Sequence, residues 1–184
     1  MKTDSREIKE AGDYFFEIRN IIRKITRDFL VLKQPASMIN ENGEELIILK
    51  SQILTEIEEQ IEGLESIIDN HPKTVLFLSL CEGEKLYRQC ERLKETFSFD
   101  NPAYWEFVKK KIVLGQPEQI LRELKSNTQE LKKLLPFLLH KDGEEEKNLA
   151  EANLSKFYKI LKVCFILSNT TALLIRSLLT LEVA

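Results

Sequence analysis

The strictest constraint on this chain is a run of apolar side chains near its start. Ile8, Ala11, Phe15, Ile18, Ile22, Ile25, Phe29 and Leu32 follow one another at intervals of 3, 4, 3, 4, 3, 4 and 3 residues. A helix turns once in about 3.6 residues, so this spacing draws a single stripe along about seven turns. A strand, whose side chains alternate with period 2, cannot gather these residues on one face. Phe16 and Ile21 widen the stripe beyond a two-stranded seam, which calls for more than one packing neighbour. Asp4 with Glu7 can form a capping box at the start, and Pro35 marks the expected end. Gly12 weakens the first turns by about 1 kcal/mol relative to alanine.

The rest of the chain repeats the pattern. After a loop over residues 35–43, a second helix runs from about Glu44 to Asp69, seamed by Ile47, Leu54, Ile57, Ile61, Leu64 and Ile68, with Lys50 in one slot. Its glutamates make an acidic outer face, and Asn70-His71-Pro72 breaks it. Two long helices joined by a short loop are expected to form an antiparallel hairpin. A third helix is expected from about Lys73 to Phe97, with Ser79 and Gly83 permitting close approach. A short fourth begins after a cap at Asp100 or Asn101, carries Pro102 in its first turn, and ends at Gly115. A fifth starts at Pro117 with Leu121, Leu124, Leu131, Leu135 and Leu138 on its seam; Asn127 with Glu130 suggests a break near Ser126, and Pro136 a kink or end. A charged loop over Lys141–Lys147 leads to a last helix from about Glu145 to Leu181. That helix is apolar nearly all round, the mark of a central position, and Ser168-Asn169-Thr170-Thr171 is expected to bend or restart it. The expectation is one all-α domain over residues 1–184, a bundle of about six to seven helices with a long N-terminal hairpin.

Composition narrows the class of function. Six Gly and five Pro among 184 residues, with 43% hydrophobic and 31% charged residues, fit a packed helical domain rather than a disordered chain. A net charge of −3 gives the whole molecule no attraction for phosphates, so no nucleic-acid partner is expected. Lys109-Lys110-Lys111 reads as a solvated helix face. No leader sequence is expected at the N-terminus. The uncharged stretch from Val163 to Ile175 is 13 residues, short of the roughly 20 a membrane span needs, so no span is expected. The three cysteines, Cys81, Cys90 and Cys164, read as reduced, buried, small hydrophobes of an intracellular protein, cytoplasmic or nuclear.

No catalytic, cofactor or metal constellation emerges. The two histidines, His71 and His140, lie far apart, and there is no Glu-x-x-His, CxxC or HExxH, so no metal site is expected. No GxSxG, P-loop or GxGxxG occurs, so no nucleotide or other cofactor is expected. A Cys90–His140 pair would need the fold to assemble it, and Glu144-Glu145-Glu146 reads as solvated. Asn153-Leu154-Ser155 and Asn169-Thr170-Thr171 match the glycosylation pattern by chance. Tyr104, Trp105 and Phe107 form the one aromatic cluster beyond the first helix and are the candidate partner-binding residues. For Trp105 the competing reading is an anchor for a short helix, and Tyr104 is the better placed for exposure.

Residues 101–125, NPAYWEFVKKKIVLGQPEQILRELK, resemble a helical hairpin of α-solenoid scaffolds of the tetratricopeptide or nuclear-pore coat type. The likeness rests on Trp105, Gly115 and the spacing of Val108, Ile112 and Leu121; Ile120 stands where a tetratricopeptide helix carries a small residue. It implies a scaffold, or a fragment of one. The function expected is therefore a non-enzymatic protein–protein interaction domain, a scaffold or adaptor subunit of an intracellular complex that engages other proteins by helix–helix packing, in an unspecified oligomeric state. The alternative is a helical bundle binding a small apolar ligand or lipid.

Overall fold

The seam of the first helix finds its cover at the far end of the sequence. In the computed structural model, residues 5–33, 43–72, 102–113, 116–138 and 144–183 are described. They form five α-helices: α1 (Ser5–Leu32), α2 (Gly43–Asp69), α3 (Pro102–Val113), α4 (Glu118–Leu134) and α5 (Glu144–Val183), with a single 3-10 turn over Leu135–Phe137. No strand occurs among the described residues, and the protein is all-α. All eight residues of the first seam are buried.

The most extensive contact is between α1 and α5; α1 also packs on α2, α2 on α4, and α4 on α5. These four helices thus close a ring. Adjacent members run in opposite directions. Between α1 and α5, Gly12 faces Ala172 and Ile175, Arg19 meets Asn169, and Phe29 stacks on Phe157 and Tyr158. Between α1 and α2, Tyr14 meets Ile67 and Asp28 meets Gln60. Between α2 and α4, Asp69 pairs with Lys125 and Glu65 with Lys132. The helix α3 lies outside the ring against α5 and α4, anchored by Trp105 and Val108, both essentially inaccessible.

The core is filled from every helix. Ile18, Ile22 and Ile25 of α1, Ile57, Ile61 and Leu64 of α2, and Phe157, Leu167 and Ile175 of α5 have no exposed surface. Buried hydroxyls in this core bond back to their own helix: Thr128 Oγ1 donates to the Leu124 carbonyl at 2.7 Å, Ser168 Oγ to Cys164 at 2.8 Å, and Thr171 Oγ1 to Leu167 at 2.6 Å. Each satisfies its donor without leaving the helix.

That back-bonding explains two departures from expectation. The Ser168–Thr171 run does not interrupt α5, which is continuous from Glu144 to Val183. Nor does Asn127 restart α4: its side-chain amide donates back to the Glu123 carbonyl at 2.8 Å, and the helix continues to Leu134. Pro136 ends α4 in the 3-10 turn, as its missing N–H requires. The charged segment expected to be a loop through Lys147 is helical from Glu144, and Gly43 is helical at the start of α2. Lys50, in the α2 seam, is half-buried, and burial pulls its ammonium below the ordinary lysine value. The expected helix over 73–97, with Ser79, Gly83, Cys81 and Cys90, and the caps at 100–101 and Gly115, lie outside the described residues.

One buried phenol ties α2 down. Tyr14 Oη donates to the Ile67 carbonyl at 2.8 Å and lies 3.5 Å from that of Ile68, two of the last carbonyls of α2, which lack intrahelical partners. Burial, with Glu17 and Asp69 adding negative potential, pushes the phenol far above its ordinary value, so it stays a donor. The Tyr14→Phe variant is expected to lose about 1 kcal/mol of stability, read as a lower urea midpoint with unchanged slope. Glycines at two helical positions act in the opposite sense. A Cβ at Gly63 meets nothing within 4 Å, and one at Gly12 makes ordinary contact with Ile175 Cγ2 at 3.7 Å. Gly63→Ala and Gly12→Ala are each expected to stabilise the protein by about 0.5–1 kcal/mol; a lower midpoint for Gly12→Ala would show that α1 and α5 cannot accept a methyl group between them.

Candidate functional site

Because α1 and α5 pack through one stripe each, the side chains flanking those stripes meet along the outside of the contact. There they line a trough of about 530 Å³, open along one side. From α1 it takes Arg23, Thr26, Arg27 and Leu30; from α5, Tyr158, Leu161, Lys162, Phe165, Ile166, Asn169 and Thr170. Leu30 is 47% exposed, and Phe165 and Ile166 are half-buried beside it. The floor is therefore apolar and the walls carry three cations.

The helical periods place those cations. Arg23 and Arg27 are four residues apart and share one face of α1. The antiparallel register, with Arg19 at Asn169 and Phe29 at Phe157, brings Lys162 of the opposite wall level with the turn between them. None of the residues lining the trough is Asp or Glu, and no described carboxylate pairs with Arg23, Arg27 or Lys162. Toward both ends, cations lie on aromatic faces. At one, Arg19 and Arg176 stand 4.6 and 5.3 Å from the Phe16 ring centre, and Arg19 Nη1 donates to Asn169 Oδ1 at 3.1 Å. At the other, Lys33 and Lys162 lie 4.8 and 5.1 Å from the Tyr158 ring, which stacks on Phe29 at 5.9 Å. Partial burial and the neighbouring Arg23 charge hold the Arg19 guanidinium below its ordinary value. Positive charge is thus concentrated here while the net charge is −3; the counterweight is α2, with eight carboxylates and one lysine.

No match to this chain is found among protein-family profiles, curated proteins or solved structures.

The aromatic cluster that the sequence singles out lies elsewhere, on α3. Trp105 is 1% exposed and belongs to the core; a ring so buried packs α3 in place. Phe107 is half-buried, with Lys111 Nζ 5.6 Å from its ring centre. The Tyr104 side chain lies outside the described residues. The lysine run is not a uniformly solvated face: Lys109 is buried and pairs with Glu106 at 2.9 Å, Lys110 is exposed, and Lys111 is half-buried. Among the described residues no three His, Cys, Asp or Glu side chains converge on a point. His140 and Cys90 lie outside them. His71 Nδ1 sits 3.2 Å from the Ile68 carbonyl at the end of α2. Of the two glycosylation-like asparagines, Asn153 donates its amide to the Phe137 carbonyl at 3.3 Å and Asn169 accepts from Arg19.

The helix carrying one wall of the trough also amends the expectation about membranes. Asn148–Arg176 of α5 is long and apolar enough to cross a bilayer by length and composition, with mean hydropathy 1.4. Half of that apolar window is buried inside the protein, against α1, α3 and α4, which is the position of a core helix.

Behind the trough, Cys164 has no exposed surface, and burial pushes its thiol from 9.0 up to about 12. The nucleophilic thiolate is therefore suppressed. In the unfolded chain the same thiol ionises near 9.0, so between pH 9 and about 12 the unfolded state binds fewer protons than the folded one. The stability this group contributes is complete below pH 9 and is lost as pH rises, at up to about 1.4 kcal/mol per unit. The stability difference between the wild type and Cys164→Ala, followed by urea denaturation, is expected to narrow above pH 9; a constant difference would show that the buried thiol titrates normally.

Proposed function

We propose that this chain is a non-enzymatic interaction subunit, a scaffold or adaptor of an intracellular complex, and that it engages another protein through the α1–α5 trough. The observation that carries the reading is the apolar floor exposed between carboxylate-free, cationic walls. A protein surface ordinarily intersperses both signs of charge and covers contiguous apolar area; a place that does neither marks a contact site. The architecture belonging to this reading is one domain of six to seven helices, of which five are described, with α1 and α2 as an N-terminal hairpin. The α3–α4 pair, in contact with each other, corresponds to the solenoid-like hairpin.

A second reading has an observation of its own. A trough of about 530 Å³ falls within the size of small-molecule sites, about 300–1,000 Å³, so a small apolar or lipid ligand is the alternative. Such sites, however, enclose most of their ligand, whereas this one is open along its length.

A photo-cross-linking amino acid at position 166, in the floor, tests the reading in cells of the protein's own source. Irradiation is expected to give a covalent protein adduct at 166 and none at 52, on the polar outer face of α2. Adducts at neither position, with a small molecule retained in native mass spectrometry, would move the function to the ligand reading.

A further inference from the structure

We infer that the trough receives an acidic amphipathic helix from a protein partner, with the partner's apolar stripe on Leu30, Phe165 and Ile166 and its carboxylates on Arg23, Arg27 and Lys162; this rests on the protein-interaction reading above. The shape argues for a helix. The trough follows α5 from Tyr158 to Thr170, about 18 Å at 1.5 Å per residue. That is room for about three turns of a third helix laid along two, and helix-in-groove recognition uses such a track, with apolar anchors three and four residues apart. The charge argues for an acidic one. Arg23 and Arg27, both exposed, are spaced to meet Asp or Glu placed four apart on a partner, and Lys162 meets the opposite flank. No described carboxylate of this chain competes for them. Charge-assisted bonds of this kind set orientation and encounter rate, while the floor supplies the contact area.

The same observations count against other occupants. The acidic face of α2 in a second copy would match the charge, but its outward positions, Gln52, Thr55, Glu56, Glu59, Glu62 and Ser66, are polar throughout and offer nothing to the floor. A lipid surface is met best by a convex basic face with protruding apolar side chains; here Leu30, Phe165 and Ile166 line a concavity.

Selection of a helix-biased random peptide library on the full chain tests the inference. Enriched peptides are expected to carry apolar residues at i, i+3 or i+4, and i+7, flanked by Asp and Glu. Their affinity, read by fluorescence anisotropy, is expected to fall at least about tenfold in Arg23→Glu/Arg27→Glu and also when ionic strength rises from about 0.05 to about 0.3 M. The Glu59→Lys variant on α2 is expected to leave it unchanged. Circular dichroism checks that the double variant is folded, and Lys162→Glu on the opposite wall replaces it if it is not. Enrichment of neutral or basic peptides, or affinity indifferent to charge reversal on either wall, overturns the inference. An adduct at position 166 alongside such peptides leaves the protein-interaction reading standing and the acidic helix rejected. Failure to enrich any peptide, with the chain instead sedimenting with phosphatidylserine vesicles, overturns it in favour of a lipid surface.

Discussion

The antiparallel contact between α1 and α5 is the constraint from which the rest of the structure follows. Each helix brings a continuous apolar stripe, and neither can be dissolved alone without exposing it. Their contact spans most of α1, from Gly12 against Ala172 and Ile175 to Phe29 against Phe157. It joins the start of the chain to its end, so everything between must be accommodated around it. The helices α2 and α4 close the ring because the α1 stripe is wider than α5 alone can cover: Tyr14 is buried and reaches the end of α2.

The same contact creates the trough. Two cylinders packed along one line leave a re-entrant surface on the outside, and its character depends only on which side chains border the seam. On α1 these are Arg23, Thr26, Arg27 and Leu30; on α5, Tyr158, Lys162, Phe165 and Ile166. Stability and the proposed function therefore draw on adjacent positions of the same two helices. The buried residues hold the helices in register, and the register decides which cations face one another.

Charge segregation gives this surface its chemistry. A chain of net charge −3 would show no preference for anions if its charges were evenly spread. Instead α2 carries eight of the thirty carboxylates against one lysine, and its Asp69 and Glu65 pair with lysines of α4. The trough is left to arginine and lysine over aromatic and aliphatic side chains. Cation–aromatic pairs at both ends, Arg19 and Arg176 at Phe16, Lys33 and Lys162 at Tyr158, hold long side chains that would otherwise lie free in solvent.

The three-and-four spacing was enough to establish helices and their buried faces, because periodicity is a local property: it set the all-α class and the burial of the first seam from Ile8 to Leu32, while the missing N–H of Pro136 set the end of α4. Local polar signals misled where a residue's partner lies within its own helix. Asn127 and the Ser168–Thr171 run read as breaks, yet their side chains bond back one turn and the helices continue. The candidate site was half legible. Arg19, Arg23 and Arg27 recur every four residues on the α1 face of Phe16 and Leu30, a carboxylate-free stripe, and Tyr158, Lys162 and Phe165 make a similar one on α5. What the sequence could not state is that these stripes border one trough, while Trp105, its most conspicuous aromatic, is sealed in the core. Which face of a helix is apolar is written within a few turns of chain, but which face meets which is settled by packing between segments more than a hundred residues apart.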